Sequence, residues 1–302
     1  MTTNNLIPAS STGGGLITAA GAAAGATYWD AKTTEELVTL PVIKTSVATQ
    51  VSTVLRPAPG TVVEVPVIDE LVSEDDGPAW HTDGAELVEL GDPNARSLFI
   101  EHHDLGAKKS INWRALSDAS HDVTGMYGNA LTQSMTTKID RTVFNADESS
   151  PVPGLSQLAG VKELAAGAGG ALKDLDIFLD AQEHAENLDT MVTHFVCAPA
   201  TATMIAKIKR ADKSAEPLLG TAERPGSATI NGVPLLTSRH VKPGVIWAIP
   251  SDRLILSIPQ DVMVKWLPDA RAAHAQGLLV GLLRFGFGCL QPEALAKITV
   301  NS

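Results

Sequence analysis

The sequence has few cysteines, few aromatic residues and fewer bases than acids, and each shortage argues against a class of protein. Cys197 and Cys289 are the only two cysteines, they lie far apart, and they fit no metal-binding spacing. We therefore expect two buried, reduced thiols in apolar strands. With 23 Lys and Arg against 34 Asp and Glu, the net charge is −11. Such a chain repels phosphate backbones, which argues against a sequence-specific nucleic-acid reader.

The N-terminal stretch has neither a basic start nor a long hydrophobic run. Residues 14–29, "GGLITAAGAAAGATYW", are rich in Gly and Ala and only weakly hydrophobic. This argues against a signal peptide and a membrane span, and favours an extended arm with a short helix at "TTEEL". The chain as a whole is 44% hydrophobic and 4% aromatic, which predicts a globular core built from small aliphatic side chains.

An acidic segment predicts a long two-stranded hairpin. Between Glu64 and Asp92 there are ten acids and no Lys or Arg. Alternating Val63, Val65 and Val67 predict the outgoing strand, and "SLFIEHHDLGAKKSINW" predicts the returning strand. An isolated hairpin is marginally stable in water, so we expect it to lie on another surface, in another molecule. The alternative is a solvated acidic face.

The next segment predicts a long amphipathic helix at residues 117–146. Apolar side chains recur there in steps of three and four, and Ser117 or Asp118 can cap the start. The apolar positions are Val123, Met126, Tyr127, Ala130, Leu131, Met135, Ile139, Val143 and Phe144.

The remaining segments predict an α+β protein in which one domain interrupts another. After Pro153 we expect a helix at "ALKDLDIFLDAQEHAE", a buried strand at "MVTHFVCAP", a helix that begins near Pro199, and a strand and turn at "INGVPLLTSRHV". Near the start of the chain, "VATQVSTVL" predicts a strand of an early sheet. The final third of the chain predicts strands that return to this sheet.

Four strings, in this order, resemble the major capsid proteins of tailed bacteriophages. They are "GPAWHTDGAE", "KIDRTVFNADESSPVPGL", "FVCAPATATMIAKIKRADKSAEPLLG" with "INGVPLLTSRHV", and "LLRFGFGCLQPEALAKI". The resemblance spans roughly residues 60–300. Each string alone is weakly specific, whereas their concerted order is fairly specific.

The resemblance implies the phage major capsid fold, with the following division of the chain. It comprises an N-terminal arm at 1–45, a first P-domain strand at 46–60, an E-loop hairpin at 61–110, a P-domain spine helix at 111–150, an A-domain at 151–258 and closing P-domain strands at 259–302.

The resemblance also implies a structural, non-enzymatic protein of the virion, made in the host cytoplasm. It would assemble as hexamers and pentamers into an icosahedral head around double-stranded DNA, with a separate scaffolding protein and a portal. Some members of the family join their subunits covalently through a lysine near the hairpin tip. No lysine lies at the hairpin tip of this chain, so the resemblance does not imply covalent cross-links between its subunits. Whether a decoration protein binds stays open.

Two sets of residues are predicted to meet between neighbouring subunits. The hairpin set is Asp75, Asp76, Trp80, Asp83 and Glu86, and the basic P-domain set is Lys138, Arg141, Lys265, Arg271 and Arg284. Opposite charge between them would set register more than affinity. Trp80 is the proposed apolar anchor; packing within its own hairpin is the alternative.

No catalytic, cofactor or metal site is predicted. His102, His103 and Asp104 are neighbours on a strand, so their side chains point to opposite faces. The glycine-rich start lacks the Gly-Lys-Ser/Thr ending of a phosphate loop, and no Gly-x-Ser-x-Gly elbow is present. Two alternatives remain: an encapsulin-like nanocompartment shell, which shares the fold, and an α/β enzyme.

Overall fold

The computed structural model describes residues 46–58, 60, 62–70, 80–84, 86, 94–118, 122–167, 172, 174–209 and 229–301. The predicted arm at 1–45 and its "TTEEL" helix lie outside these residues. The described helices are α1 Val47–Gln50, α2 Trp113–Asp118, α3 Val123–Asn145, α4 Asp176–Glu186 and α5 Pro199–Ala206.

The described strands number twelve and form three sheets. They are β1 Thr53–Leu55, β2 Val63–Glu70, β3 Asn94–Ile100, β4 His103–Asn112, β5 Lys162–Ala165, β6 His194–Cys197, β7 Thr229–Ile230, β8 Val233–Thr237, β9 Val245–Ile249, β10 Leu254–Arg271, β11 Gln276–Cys289 and β12 Ala296–Thr299. This mixture of helices and sheets confirms the predicted α+β class.

A four-stranded sheet has the order β1-β10-β11-β4. The short strand β1 lies parallel to β10, with Thr53 opposite Ile255. A short 3₁₀ turn at Ala272–His274 joins β10 to β11, and Ala275 closes it in the left-handed region with φ 52°. The last long strands therefore return to the sheet that begins before the long helix, as the sequence predicted.

A six-stranded sheet has the order β5-β12-β9-β6-β8-β7. Its core includes Phe178 of α4 and Phe195 of β6, whose rings meet edge to face with centroids 5.0 Å apart. Strand β12 pairs with β5 in parallel and with β9 in antiparallel orientation. Residues 296–299 of the predicted closing segment therefore belong to this sheet, together with strands of the 151–258 segment.

The described residues form two compact units. The smaller unit takes its residues from Gly106–Thr132 and Asp261–Leu282, and the larger unit from Ile43–Leu105, Gln133–Gln260 and Leu283–Ser302. In the smaller unit, the backbone N–H of Trp113 donates to the Ala275 carbonyl at 3.0 Å and its indole Nε1 donates to the Pro268 carbonyl at 3.1 Å. These bonds fix α2 to the end of the β10–β11 hairpin.

The start of the larger unit corrects one prediction. The segment "VATQVSTVL" is not one strand, because residues 47–50 form the helical turn α1 and only residues 53–55 form a strand. The buried carboxylate of Asp140, on α3, accepts from the Ser46 hydroxyl at 2.6 Å and from the Ala48 N–H at 2.9 Å. The Val47 N–H also points at this carboxylate, at 3.3 Å. A carboxylate at a helix N-terminus satisfies N–H groups that have no partner inside the helix.

The long helix α3 begins later than predicted. It starts at Val123, and the Asp122 carboxylate accepts from the Gly125 N–H at 2.9 Å, so Asp122 caps the helix in place of Ser117 or Asp118. Those two residues end the separate helix α2. Met126 and Tyr127 are exposed, although the apolar pattern predicted a buried face there.

In the larger unit, the apolar face of α3 is buried as predicted. Met135, Ile139, Val143 and Phe144 are at most 2% exposed. Thr136 and Asp140 are buried beside them, so the inward face of the helix also contains polar groups. The helical period therefore identifies the buried face but not the carboxylate within it.

The Asp140 cluster yields a stability prediction. Asp140→Ala should lower the free energy of unfolding by about 1–3 kcal/mol, because it leaves buried donors at the start of α1 without an acceptor. Asp147→Ala is the control, because it removes an exposed partner of Arg141 and should cost less than about 1 kcal/mol. Urea unfolding of the unassembled protein measures both. Equal losses for the two variants would contradict the assigned role of Asp140.

Candidate assembly surfaces

The predicted acidic hairpin has a regular base. Strands β2 and β3 are antiparallel, with Val65 opposite Leu98 and Glu64 opposite Phe99. Val63, Val65 and Val67 are half-buried, whereas Glu64 and Pro66 are exposed, which confirms the predicted alternation. The strands therefore have one face toward the protein and one toward solvent.

Two glycines of β11 make room for the base of this hairpin. Ile100, at the end of β3, is 1% exposed. A Cβ on Gly286 would meet the Glu101 carbonyl oxygen and the Ile100 side chain, and a Cβ on Gly288 would meet Ile100 and Leu98. On the same segment, the Arg96 guanidinium donates to the Leu290 carbonyl at 2.6 Å. Glycine at every second position of "RFGFG" is thus required for β3 to pack closely on β11.

The tip of the hairpin exposes its largest apolar side chain. Trp80 is fully exposed, and Asp83 and Glu86 are exposed as well. The side chain of Trp80 therefore does not pack within its own hairpin, which was the alternative to an anchor. Asp75 and Asp76 lie outside the described residues.

In the larger unit, two of the predicted basic residues already have carboxylate partners. Arg284 forms a two-pronged pair with Asp104, in which Nη2 donates to Oδ2 at 2.8 Å. The hydrogen bonds from Arg284 lower the pKa of the Asp104 carboxyl, and the same bonds raise the pKa of Arg284. Arg141 pairs with Asp147 at 3.3 Å.

Lys138 lies near these pairs and has no carboxylate partner among the residues that the structure describes. It lines a cavity of about 150 Å³ beside the last two turns of α3, together with Arg141, Asp104 and Phe285. Of the charged residues that line this cavity, Arg141 is paired with Asp147 and Asp104 is paired with Arg284, so Lys138 is a cation there without a carboxylate partner among the described residues.

The other two predicted basic residues lie in the smaller unit. Lys265 is exposed on β10, and the exposed Arg271 donates to the Ser110 hydroxyl at 3.3 Å. The structure therefore brings Lys138, Arg141 and Arg284 together in one compact unit and places Lys265 and Arg271 in the other.

The candidate reactive residues have polar partners or are buried within the chain. His102 Nε2 lies 2.7 Å from the Ser257 hydroxyl, and His103 lies 3.9 Å from Glu101. Cys197 and Cys289 are buried and unpaired in β6 and β11, as predicted, and burial raises the pKa of each thiol to about 12. Neither thiol is activated for nucleophilic chemistry.

The described residues contain neither a metal-binding group nor a membrane-spanning helix. In that part of the chain, no three His, Cys, Asp or Glu side chains are grouped so as to hold a metal ion. No helix there is long and apolar enough to cross a membrane.

The described residues combine a helix of 23 residues with a four-stranded sheet, a six-stranded sheet and a two-stranded antiparallel hairpin. Solved structures place this fold in the class of phage major capsid folds. The chain is similar to one titled "Microbacterium phage Oxtober96" with TM-score 0.70 and 19% identity, covering 85% of this chain and 91% of that one. It is similar to "Capsid of empty GTA particle computed with C5 symmetry" with TM-score 0.68 and 18% identity, covering 84% and 89%.

A third structure, from Mycobacterium phage Bobi, matches with TM-score 0.65 and 16% identity over 85% of this chain and 91% of that one. No curated protein matches the sequence significantly. The model of the phage capsid family matches residues 18–300, and the chain belongs to that family. It is a structural capsid protein, and this membership supports a non-enzymatic role.

Sequence reasoning missed two functional features of this architecture. Asp140 lies in the string "KIDRTVFNADESSPVPGL", which gives no local signal that its carboxylate binds the start of α1. Gly286 and Gly288 lie in the string "LLRFGFGCLQPEALAKI". Their alternation with Phe285 and Phe287 was the available signal, because glycine inside a strand often marks a close approach of another chain segment.

The first prediction from these surfaces concerns the Arg284–Asp104 pair. Arg284→Met should raise the pKa of the Asp104 carboxyl toward the ordinary aspartate value, because the hydrogen bonds that stabilise the carboxylate are lost. Arg141→Met is the control and should leave that pKa unchanged. NMR titration of the Asp104 carboxyl carbon measures both variants, and an unchanged pKa in Arg284→Met would show that this arginine does not hold the carboxylate.

The second prediction concerns the hairpin base. Gly286→Ala should cost about 1–3 kcal/mol of stability, because the new methyl group overlaps backbone at Glu101. Gly128→Ala is the matched control: nothing lies within 4 Å of the added Cβ. In the helix that change should be neutral or stabilise by up to about 1 kcal/mol. If urea unfolds both variants at the same concentration, Ile100 does not pack against β11 as described.

Proposed function

We propose that copies of this chain assemble as hexamers and pentamers into an icosahedral shell that encloses double-stranded DNA. The observation that carries the proposal is the fully exposed Trp80 in the segment that connects β2 to β3, in a chain of the phage capsid family. A large exposed aromatic side chain on a protruding element is a common anchor between protein subunits.

We propose that the hairpin acts between copies. Its exposed acids, Asp83 and Glu86, would face basic residues of a neighbouring subunit, and opposite charge would favour the correct register. The internal pairs of Arg141 and Arg284 make these two residues weaker candidates than Lys138, Lys265 and Arg271, whose charges are not balanced by a carboxylate among the described residues.

The functional division of the chain is part of the proposal. Residues 61–110 would form the E-loop, residues 111–150 the spine-helix segment and residues 151–258 the A-domain. Residues 1–45 would form the arm and 46–60 the first P-domain strand. The closing P-domain strands would be the β10–β11 part of 259–302, with β12 assigned to the A-domain sheet because it pairs with β5 and β9.

The proposal also includes a location and partners for the assembled shell. The mature location is the virion, after synthesis in the host cytoplasm. A separate scaffolding protein and a portal would direct assembly. With a net charge of −11, the chain would enclose DNA without sequence-specific binding.

Assembly of the full chain tests this function. The purified protein should form rings, sheets or closed shells in negative-stain micrographs, with matching high mass in light scattering. Trp80→Ala should reduce the assembled fraction, whereas Trp80→Phe, which keeps an aromatic ring, should retain most of it. Circular dichroism should be unchanged in both, since the indole contacts none of the described protein. A monodisperse monomer under all salt and crowding conditions would contradict the proposal.

A further inference from the structure

Strands β7 and β8 of the six-stranded sheet are joined by a turn of only two residues, Asn231 and Gly232. Ile230 lies opposite Val233 in the antiparallel pair that flanks this turn. Both turn residues have a positive φ, 51° for Asn231 and 85° for Gly232. Positive φ at both central residues is typical of a type I′ turn, for which Asn-Gly is a preferred sequence. The dipeptide therefore suits the backbone conformation of this turn.

The β7–β8 turn is open to solvent. Asn231 and Gly232 are both exposed. A Cβ added to Gly232 would meet none of the described atoms within 4 Å, and the Gly232 N–H has no backbone acceptor in that part of the chain. Solvent base can therefore reach this N–H, and the surrounding space leaves the Gly232 backbone room to move toward the Asn231 side chain.

The neighbouring glycine makes the Asn231 side chain chemically labile. Asparagine is among the thermolabile residues of proteins, because the next peptide nitrogen can attack its side-chain amide carbon and close a five-membered ring. A side chain on the following residue hinders that attack, and glycine has none. Asn231 is the only asparagine of the chain that is followed by glycine.

Two other exposed asparagines have a different environment. Asn187 precedes Leu188, whose N–H donates to a carbonyl of α4 at 3.0 Å. Asn112 precedes Trp113, whose N–H donates to the Ala275 carbonyl at 3.0 Å. In both cases the nitrogen that would attack is held in a hydrogen bond and belongs to a residue with a bulky side chain. Exposure alone therefore does not make an asparagine of this chain reactive.

We propose that Asn231 is a site of spontaneous deamidation in the folded chain. Solvent base removes the proton of the Gly232 N–H, and the nitrogen attacks Cγ of Asn231. The new C–N bond closes a succinimide ring, while the bond from Cγ to the side-chain nitrogen breaks and that nitrogen leaves as ammonia after it takes up a proton.

Water then opens the succinimide ring in one of two ways. Cleavage of the bond between Cγ and the Gly232 nitrogen yields aspartate. Cleavage of the bond between the Asn231 carbonyl carbon and the same nitrogen yields isoaspartate, in which the main chain passes through the side chain. The net reaction consumes one water, releases one ammonia and requires no oxidant or reductant.

The products change the edge of the six-stranded sheet, because β7 is its last strand. Either product adds one negative charge there. Isoaspartate also lengthens the main chain by one carbon atom, whereas the pairing of Ile230 with Val233 depends on a turn of two ordinary residues. Ile230 is fully buried and Val233 is 8% exposed, and both belong to the core of this sheet. Isoaspartate should therefore weaken the β7–β8 pair and lower the stability of the subunit.

Timed incubation of the full chain in mildly alkaline buffer, followed by proteolysis and mass spectrometry, tests the inference. The peptide that contains Asn231 should show exchange of an amide for an acid about tenfold faster than the peptides that contain Asn112 or Asn187, because the attacking nitrogen is unhindered only at Asn231. The rate should rise with pH, since base generates the attacking nitrogen. Asn231→Gln is the control and should stay intact over the same time, because its side chain would have to close a six-membered ring.

Two results would overturn the inference. One is an intact Asn231 in the folded chain under conditions in which a synthetic peptide of residues 229–234 reacts, because the fold would then protect the turn. The other is reaction of Asn231 no faster than that of Asn112 and Asn187.

Urea unfolding tests the structural consequence. The deamidated chain, separated from the unreacted chain by anion exchange, contains isoaspartate and should unfold at a lower urea concentration than the Asn231→Asp variant. That variant has the same charge without the additional main-chain carbon, so it isolates the effect of charge. Equal midpoints for the two would overturn the proposed weakening of the β7–β8 pair.

Discussion

One buried carboxylate joins two segments of the larger unit that are far apart in sequence. Asp140 lies on the inward face of α3 and accepts hydrogen bonds from the Ser46 hydroxyl and from the first N–H groups of α1. A buried carboxylate is costly unless such donors satisfy it, so the long helix and the segment at 46–49 stabilise each other. Strand β1 follows directly and pairs with β10. The position of the first strand in the four-stranded sheet therefore follows from a side chain about ninety residues later.

The position of the hairpin depends on a different constraint, the room that β11 leaves for the side chains at the hairpin base. Its base is held where Gly286 and Gly288 let Ile100 approach β11, and its tip has no comparable seat within the described protein. The described contacts of the hairpin with its own subunit are thus made by its base, and we propose that Trp80, Asp83 and Glu86 in its connecting segment act between subunits.

Local patterns in the sequence predicted much of this architecture. The helical period of α3, the strand alternation at Val63, Val65 and Val67, and the proline at the start of α5 each act within a few residues. The order of these elements, together with the quoted strings, then identified the family. The patterns did not predict features that depend on contacts between residues far apart in sequence, such as the helical turn α1. "VATQ" has the composition of a strand, yet Asp140 holds it as a helical turn.

The basic patch shows the same limit. Lys138, Arg141, Lys265, Arg271 and Arg284 are all bases in P-domain segments, and sequence alone treats them alike. Only the folded chain shows that Asp104 and Asp147 balance two of them, and that Lys265 and Arg271 lie in a different compact unit from the other three. Charge balance depends on which side chains meet in the fold, so composition cannot assign it.

The most direct test of the account is an electron cryomicroscopy reconstruction of assembled particles at a resolution that shows side chains. We expect a closed shell in which Trp80 of each subunit contacts another subunit. A shell in which Trp80 stays in solvent, or packs against its own subunit, would contradict it.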